Sequence, residues 1–584
     1  MAGQYRLSLA ALIASFCLFA ASGWKPLHLD NMDFPAAAKQ TAATGLPVYY
    51  RGEGNPTHLG LFHPPLYIYM LAFWINLVGF GEIQVRMFGY ICVLLHGWIV
   101  LELVRALFGG ETAKRVSGWY WLLFLLNPYT LQTASIADID STIYGPLLCG
   151  ALLIVVRMSW RDGVWRSDPV RVAEYALLCA ALVLALWAKL TTIWLLPLAV
   201  LLLLVKRLGL ARASLVAAAV TLSAVVIFLA TYFAYGRFTG LDVRYTFAFT
   251  LESLLRRGSS GRPGTLARLH DFKNNFVFMA PTLANWTGLV PWLAAIGAGS
   301  AAVGQALKCR DQRFIHSVVL VGLALGSTVY YCGQTMTFGG APFKYTFVYW
   351  GIIVACAVVL LDFLLEASIR ASEVPIRRWT MMAATVYFLS ALAGTVWVKD
   401  TIILTGLAWP YTWALYIPAL VLLAVIPVRR LAPPLAALVL ACALSAAAGN
   451  SLGIAAYQSR VSYSTTYDYG QTGFEDTVSF IRVNTQPDQV IASMKDIGFK
   501  AGRRYIENYS ALYGGPDQAN QLVGAISSGR GRYAVFTAQR GQDNLMMNPH
   551  LKSWIEQNCM LVRLAIIGYT ATLIRDNSDG GRLC

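Results

Sequence analysis

LTTIWLLPLAVLLLLV (residues 190–205) and LVAAAVTLSAVVIFLATYF (residues 215–233) flank the basic connector KRLGLARAS, and this pattern decides the fold. Apolar segments of spanning length separated by short basic connectors are typical of helices that cross a bilayer. The pattern recurs along a chain of 584 residues that is 57% hydrophobic and 13% charged. One soluble core cannot use that much apolar surface, so we predict a polytopic α-helical membrane protein.

The net charge is +16, and the Lys and Arg residues cluster between the apolar segments. This distribution is typical of cytoplasmic loops of a membrane protein, so the charge does not indicate a nucleic acid partner. The positive-inside rule places these clusters in the cytoplasm, so successive clusters must be separated by an even number of crossings. Between Arg6 and Arg105 three apolar helices are visible, and one of them therefore cannot cross. We predict that residues 64–80, rich in aromatics and opened by Pro64-Pro65, lie on the outer surface. About thirteen spans remain, with the N-terminus cytoplasmic and the C-terminus outside.

Residues 1–456 form the predicted transmembrane domain, whose first outer loop, 24–85, carries the surface helix. Residues 7–21 look like a signal peptide, but multispanning proteins usually keep this helix as an anchor. The polar tail, 457–584, predicts a small soluble α/β domain. Its predicted helices lie near 474–484, 498–505, 517–528 and 549–558, and its predicted strands near 489–494, 532–537 and in a pair ending at Arg575. A disulfide between Cys559 and Cys584 in the tail is an open alternative.

Two acidic clusters lie on the predicted outer face. Asp30 and Asp33 follow the first span, and Asp138 and Asp140 join two apolar segments with almost no loop. A carboxylate at a membrane boundary is costly unless it has a partner or a use. Asp30 is explained equally well as the cap of a predicted helical stretch over residues 35–43. Two carboxylates without an adjacent Lys or Arg are harder to explain as solvated surface, and capping of the next helix is the alternative for Asp140.

Basic side chains share that face. The candidates are His63, Lys189, Lys344 beside Tyr345, and a group in the 236–280 loop that includes Arg256 and Arg257. Cations on the side that the positive-inside rule disfavours indicate bound anions, of which phosphate is the usual one. The loop group is also consistent with a solvated basic loop, and the two lysines with side chains that snorkel to the interface.

The order of these motifs resembles the GT-C fold glycosyltransferases, and most of all the bacterial relatives of protein O-mannosyltransferases and of the lipid A aminoarabinose transferases. Asp30 precedes Gly45 at the spacing of the family's first-loop motif, and the His63-Pro64-Pro65-Leu66 motif follows. The remaining matches are Glu82 to Arg86, Asp140, Lys189 and the Lys344-Tyr345 pair. Asn31 stands where the family has a second acid, and Phe62-His63 where the aminoarabinose enzymes have Glu-Lys.

The resemblance implies transfer of a sugar from a polyprenyl-phosphate carrier, with inversion, to a hydroxyl on a lipid, glycan or protein acceptor. It assigns the catalytic base to Asp30 and a supporting carboxylate to Asp140. The implied substrate-binding residues are Asp33, Asp138, His63, Glu82, Arg86, Lys189, Arg256, Arg257, Lys344 and Tyr345. A divalent metal ion held by Asp138, Asp140 and His63 is an open alternative. The expected location is a bacterial inner membrane, with the tail in the periplasm.

Two other classes of protein stay open. Charged groups in a membrane also mark the substrate pathways of transporters and lipid flippases. These proteins usually contain inverted repeats and place their charges near the midplane of the bilayer, whereas no repeat is visible here and the charges gather at one face. A membrane scaffold that presents the tail leaves the one-sided carboxylates unexplained.

Overall fold

The structure is a computed structural model of the full chain. It describes residues 2–24, 30–49, 58–59, 63–140, 142–160, 169–190, 192–256, 272–277, 279–280, 283, 287–309, 312–334, 341–371, 376–397, 432–460, 474–493, 495–508, 516–527, 533–536, 538–539, 542–543, 548–558, 560–566 and 569–575.

The helices of the first 460 residues follow in chain order. They are α1 (Ala2–Ser22), α2 (Asp30–Thr44), α3 (Leu66–Val78), α4 (Glu82–Phe108), α5 (Gly110–Leu125), α6 (Pro128–Ser135), α7 (Tyr144–Trp160), α8 (Pro169–Ala188), α9 (Thr192–Leu208), α10 (Leu210–Thr239), α11 (Arg244–Arg256), α12 (Leu289–Cys309), α13 (Gln312–Gln334), α14 (Ala341–Ala371), α15 (Ile376–Trp397) and α16 (Ala432–Arg460). A short antiparallel pair, β1 (Val48–Tyr49) and β2 (His58–Leu59), lies between α2 and α3.

Within the described part of the chain, six helices are long and apolar enough to cross a membrane, and five shorter apolar helices accompany them. The chain is therefore an integral membrane protein. The apolar segments 190–205 and 215–233 correspond to α9 and α10. Helix α9 begins and ends within three residues of the expected bounds, and α10 extends five residues before and six residues beyond them. The figure of about thirteen spans stays a prediction, because residues 398–431 lie outside the described ranges.

The chain forms two compact units. The first comprises Met1–Gly23, Phe62–Tyr67 and Val85–Arg460. Its helices pack closely where small residues allow it: a Cβ on Gly449 of α16 would lie 2.3 Å from the carbonyl oxygen of Phe388 in α15. Ion pairs join helices of the same unit, since Arg115 of α5 donates to both carboxylate oxygens of Asp362 in α14, at 3.0 and 2.8 Å.

The second unit comprises Trp24–Leu61, Ile68–Gln84 and Val461–Cys584. Its helices in the tail are α17 (Phe474–Asn484), α18 (Lys495–Ala501), α19 (Pro516–Ser527) and α20 (Pro549–Asn558). Its strands there are β3 (Val490–Ser493), β4 (Arg504–Glu507), β5 (Val535–Phe536), β6 (Ala538–Gln539), β7 (Gln542–Asp543), β8 (Met560–Ile566) and β9 (Tyr569–Arg575).

The tail has a buried apolar core beneath a parallel strand pair. Strands β3 and β4 pair in parallel, and α18 connects them. Val478 and Ile481 of α17 and Ile491 of β3 are fully buried in this core. Helices α17 and α20 lie where the sequence places them, but the helix expected over 498–505 was partly wrong, because Arg504 and Tyr505 belong to β4. The soluble α/β domain as a whole stays a prediction.

Candidate functional site

A buried, hydrogen-bonded turn between α6 and α7 carries the second acidic cluster. The Asp138 carboxylate accepts a hydrogen bond from the backbone N–H of Asp140 at 3.1 Å, and the Thr142 hydroxyl donates to the Asp138 carbonyl at 2.6 Å. Asp138 and Asp140 are only 5% and 3% exposed. Helix α7 begins at Tyr144, so Asp140 is not at the N-cap position. The capping explanation of Asp140 is therefore wrong for this turn.

Lys189 lies directly opposite Asp140. Its backbone continues the last turn of α8, where its N–H donates to the carbonyl of Ala185 at 2.8 Å. Its ammonium donates to both carboxylate oxygens of Asp140, at 2.5 and 2.6 Å. Because Lys189 is 3% exposed, its charge does not snorkel to the interface.

Aromatic rings enclose the ammonium group of Lys189. The nitrogen lies 4.4 Å from the ring centroid of Tyr345 and 5.7 Å from that of Tyr144. Tyr331 stacks on Tyr345 with centroids 5.5 Å apart. The negative ring faces stabilise a buried cation. Sequence reasoning selected Tyr345 but missed Tyr144 and Tyr331. Tyr144 lies four residues after Asp140, whereas no pattern in the sequence marked Tyr331.

Helix α6 holds this turn in place through its own contacts. Asn127 caps the helix by accepting from the N–H of Tyr129 at 2.9 Å, and Pro128 occupies the first turn, where its missing N–H costs nothing. The hydroxyl groups of Tyr129 and Thr346 are 2.7 Å apart. This hydrogen bond joins α6 to the beginning of α14, next to Tyr345.

The buried side chain of Arg86 also forms a hydrogen bond with the end of α6. Its guanidinium donates to the carbonyl of Ser135 at 3.0 Å, at the end of α6, and to the carbonyl of Gly23 at 2.9 Å, after α1. A cation at a helix C-terminus offsets the negative end of the helix dipole. These contacts position two helix ends. The substrate-binding role of Arg86 stays a prediction.

The proposed metal ligands do not come together. Among the described residues, no three His, Cys, Asp or Glu side chains lie close enough to hold a metal ion. The suggested set of Asp138, Asp140 and His63 is thus not a metal centre here. Lys189 neutralises Asp140, and half-buried His63 lies in a bend before α3.

The first acidic cluster belongs to the second unit. Asp30 is the first residue of α2, which begins five residues before the predicted helical stretch 35–43. Asp33, expected to bind substrate, forms an ion pair with Lys495 of α18 at 2.6 Å. Glu82, expected to have the same role, forms an ion pair with Lys500 of that helix. Both carboxylates therefore have partners within their own unit.

Other candidates lie wholly or partly outside the described residues. The side chains of Asp30, Arg256 and Lys344 lie outside them, although the three residues belong to α2, α11 and α14. Arg257 lies outside the described ranges, as do Cys559 and Cys584 with their suggested disulfide.

The fold is that of the GT-C membrane proteins. Over 98% of each chain, the structure is similar to ArnT from Cupriavidus metallidurans bound to undecaprenyl phosphate, with a TM-score of 0.61 and 16% sequence identity. The Archaeoglobus fulgidus oligosaccharyltransferase AglB, in complex with an inhibitory peptide and a dolichol-phosphate, matches with a TM-score of 0.51 and 12% identity over 91% of this chain and 69% of that chain. No family model and no curated protein matches the sequence.

Proposed function

We propose that this protein is an inverting glycosyltransferase that moves a sugar from a polyprenyl-phosphate carrier to an acceptor hydroxyl on the extracytoplasmic face of the membrane. The observation that carries the proposal is the buried Lys189–Asp140 pair beneath Tyr345 in a GT-C fold. A cation this deeply buried is a candidate ligand for an anion. Two structures of similar fold contain undecaprenyl phosphate or dolichol-phosphate, and these ligands indicate that the anion is a polyprenyl phosphate.

In the proposed reaction an acceptor oxygen attacks the anomeric carbon. The bond from that carbon to the phosphate oxygen breaks, and its electron pair stays on the leaving phosphate. Lys189 would stabilise the negative charge that develops there, an electrostatic contribution that is usually the largest one in such transfers. Asp140 would hold the ammonium in position and neutralise it until the phosphate arrives. Attack from the side opposite the phosphate inverts the anomeric configuration.

The acceptor proton would pass to Asp30. This role rests on the resemblance of the first outer loop alone. The substrate-binding roles of His63, Arg256, Arg257 and Lys344 rest on the family resemblance and on the face of the membrane predicted for these cations. Asp138 supports the turn that presents Asp140. The proposal places the protein in a bacterial inner membrane, with its N-terminus cytoplasmic and the tail in the periplasm.

Two variants test this proposal in the full-length protein. Lys189→Met combined with Asp140→Asn removes both charges, so no uncompensated charge stays buried and the fold should persist. We expect this double variant to bind undecaprenyl phosphate at least tenfold more weakly than the wild type. We expect its transfer rate, measured with a panel of undecaprenyl-phosphate-linked sugars, to fall about 10²- to 10³-fold. Asp30→Asn should abolish transfer while the protein still expresses and folds.

Lys114→Met is the matched control, because Lys114 forms an exposed pair with Glu111. It should leave both binding and transfer unchanged. Unaltered transfer in the double variant would refute the role of Lys189, and full activity of Asp30→Asn would refute the assignment of the base. Movement of the lipid-linked sugar across sealed vesicles without any glycosylated product would favour the flippase instead.

A further inference from the structure

An elongated apolar cavity of about 490 Å³ lies between four helices of the first unit. Its lining comes from α4, α12, α13 and α14. Along α14 the lining residues recur every three or four positions from Ile352 to Ala367, so one helix face borders the cavity for about 22 Å. On α12, the small side chains Ala298, Ala301 and Ala302 leave the space open.

The cavity ends beside basic residues. Gln305 and Ser317 are polar side chains in the lining, and Phe314 lines the same end. Lys308 is exposed and follows Gln305 by three positions, so the two lie on the same side of α12. The exposed Arg313 immediately precedes Phe314. By the positive-inside rule, this end of the four helices lies at the cytoplasmic face.

Lys189 of the candidate functional site lies beside Tyr345, near the opposite end of α14. Tyr345, which covers Lys189, precedes the lining residue Phe363 by 18 positions, or about 27 Å along the helix. That distance is close to the thickness of the hydrocarbon core, about 30 Å. A carrier lipid whose phosphate is bound at Lys189 would therefore not place its head group near Lys308.

We propose that this cavity binds an anionic phospholipid of the cytoplasmic leaflet, with one acyl chain between the helices and its phosphate near Lys308. The long apolar shape fits a hydrocarbon chain, and the volume is within the range of ligand-binding cavities. Basic sites between transmembrane helices at the cytoplasmic face recognise anionic lipid head groups. The site is separate from that of the proposed glycosyl transfer, and its test does not depend on enzyme activity.

Native mass spectrometry of the full-length protein in detergent tests the proposal. Phosphatidylglycerol is compared with phosphatidylcholine of the same acyl chains, and undecaprenyl phosphate is added separately. Ala302 is 6% exposed and lines the cavity, so Ala302→Trp should fill the space and weaken phosphatidylglycerol binding at least tenfold. Val303→Trp is the matched control, because Val303 is 42% exposed and is not in the lining.

A second pair of variants tests the head group. Lys308→Gln should weaken binding of phosphatidylglycerol about fivefold and leave phosphatidylcholine unchanged, as expected for one lysine near an anionic lipid. Arg212→Gln, at another exposed basic position, should change neither. Both positions are exposed, so folding should be unaffected.

Three results would overturn the proposal. The first is equal phosphatidylglycerol binding by Ala302→Trp and the wild type, with an unchanged melting temperature. The second is equal binding of the two phospholipids by the wild type. The third is loss of undecaprenyl phosphate, but not of phosphatidylglycerol, in Ala302→Trp, which would assign the cavity to the tail of the carrier.

Discussion

The Lys189–Asp140 pair provides a quantitative test of the site through protein stability. Lys189→Met leaves a buried carboxylate without its cation, and Asp140→Asn leaves a buried ammonium without its anion. The side chains of Lys189 and Asp140 are 3% and 4% exposed, so water cannot replace the missing partner. Each single change should therefore lower the free energy of unfolding by about 3–5 kcal/mol.

The double variant should be much closer to the wild type. Removing both charges also removes the cost of burying them, and such replacements are often neutral or stabilising. The coupling free energy from the double-mutant cycle should then be at least about 2 kcal/mol. A loss of 3 kcal/mol corresponds to a more than hundredfold change in the unfolding equilibrium constant, since about 1.4 kcal/mol is tenfold.

Reversible unfolding in mixed detergent micelles, followed by circular dichroism, measures these differences. The equivalent changes at the exposed Lys114–Glu111 pair should leave the unfolding midpoint unchanged. Additive losses for Lys189→Met and Asp140→Asn would refute the direct buried pair. So would single variants that are as stable as the wild type.

Three further predictions concern the helices around the site and the second unit. Gly89→Ala should lower the free energy of unfolding by about 1–3 kcal/mol in the same assay, because the alanine Cβ would lie 2.6 Å from a backbone carbonyl oxygen of α6. Gly150→Ala is the control and should not be destabilising, because open space surrounds that position. Arg86→Lys should lower the free energy of unfolding by about 1.5–3 kcal/mol, since one ammonium cannot reproduce the forked guanidinium that donates to two carbonyls. An unchanged unfolding midpoint would contradict the role of Arg86 in positioning the two helix ends. Asp33→Lys and Lys495→Asp should each destabilise the tail by about 1 kcal/mol, after allowance for the partial exposure of both side chains. The double reversal should restore the stability of the tail, which is measured by its resistance to proteolysis. If the double reversal fails to restore it, the Asp33–Lys495 ion pair is excluded.

Much of the helical organisation could be predicted from local sequence. The runs at 190–205 and 215–233 correspond to α9 and α10, because a spanning helix needs a continuous apolar stretch that hydropathy reveals. In the tail, α17 and α20 coincide with their predicted bounds, since amphipathic periodicity is a local property. The expected helix over 498–505 was partly wrong, because parallel pairing with β3 draws Arg504 and Tyr505 into β4.

The candidate site was less predictable, because chemical partners lie far apart in the sequence. Asp33 and Glu82 have the residue type of substrate ligands, yet in the structure they pair with Lys495 and Lys500. Arg86 matches a basic position of the family, but it bonds backbone carbonyls. A charge has the same appearance in a sequence whether it binds a ligand or another side chain of the same chain.

By itself the sequence determined that this is a membrane protein with carboxylates and cations concentrated in a few connecting segments, because apolar length and the distribution of charge are visible residue by residue. Only the tertiary structure decided that Lys189 is buried against Asp140 and covered by Tyr345. These residues come from the end of α8, from the turn after α6 and from α14. Packing of those helices, which no local pattern encodes, brings the three side chains together and excludes water from them.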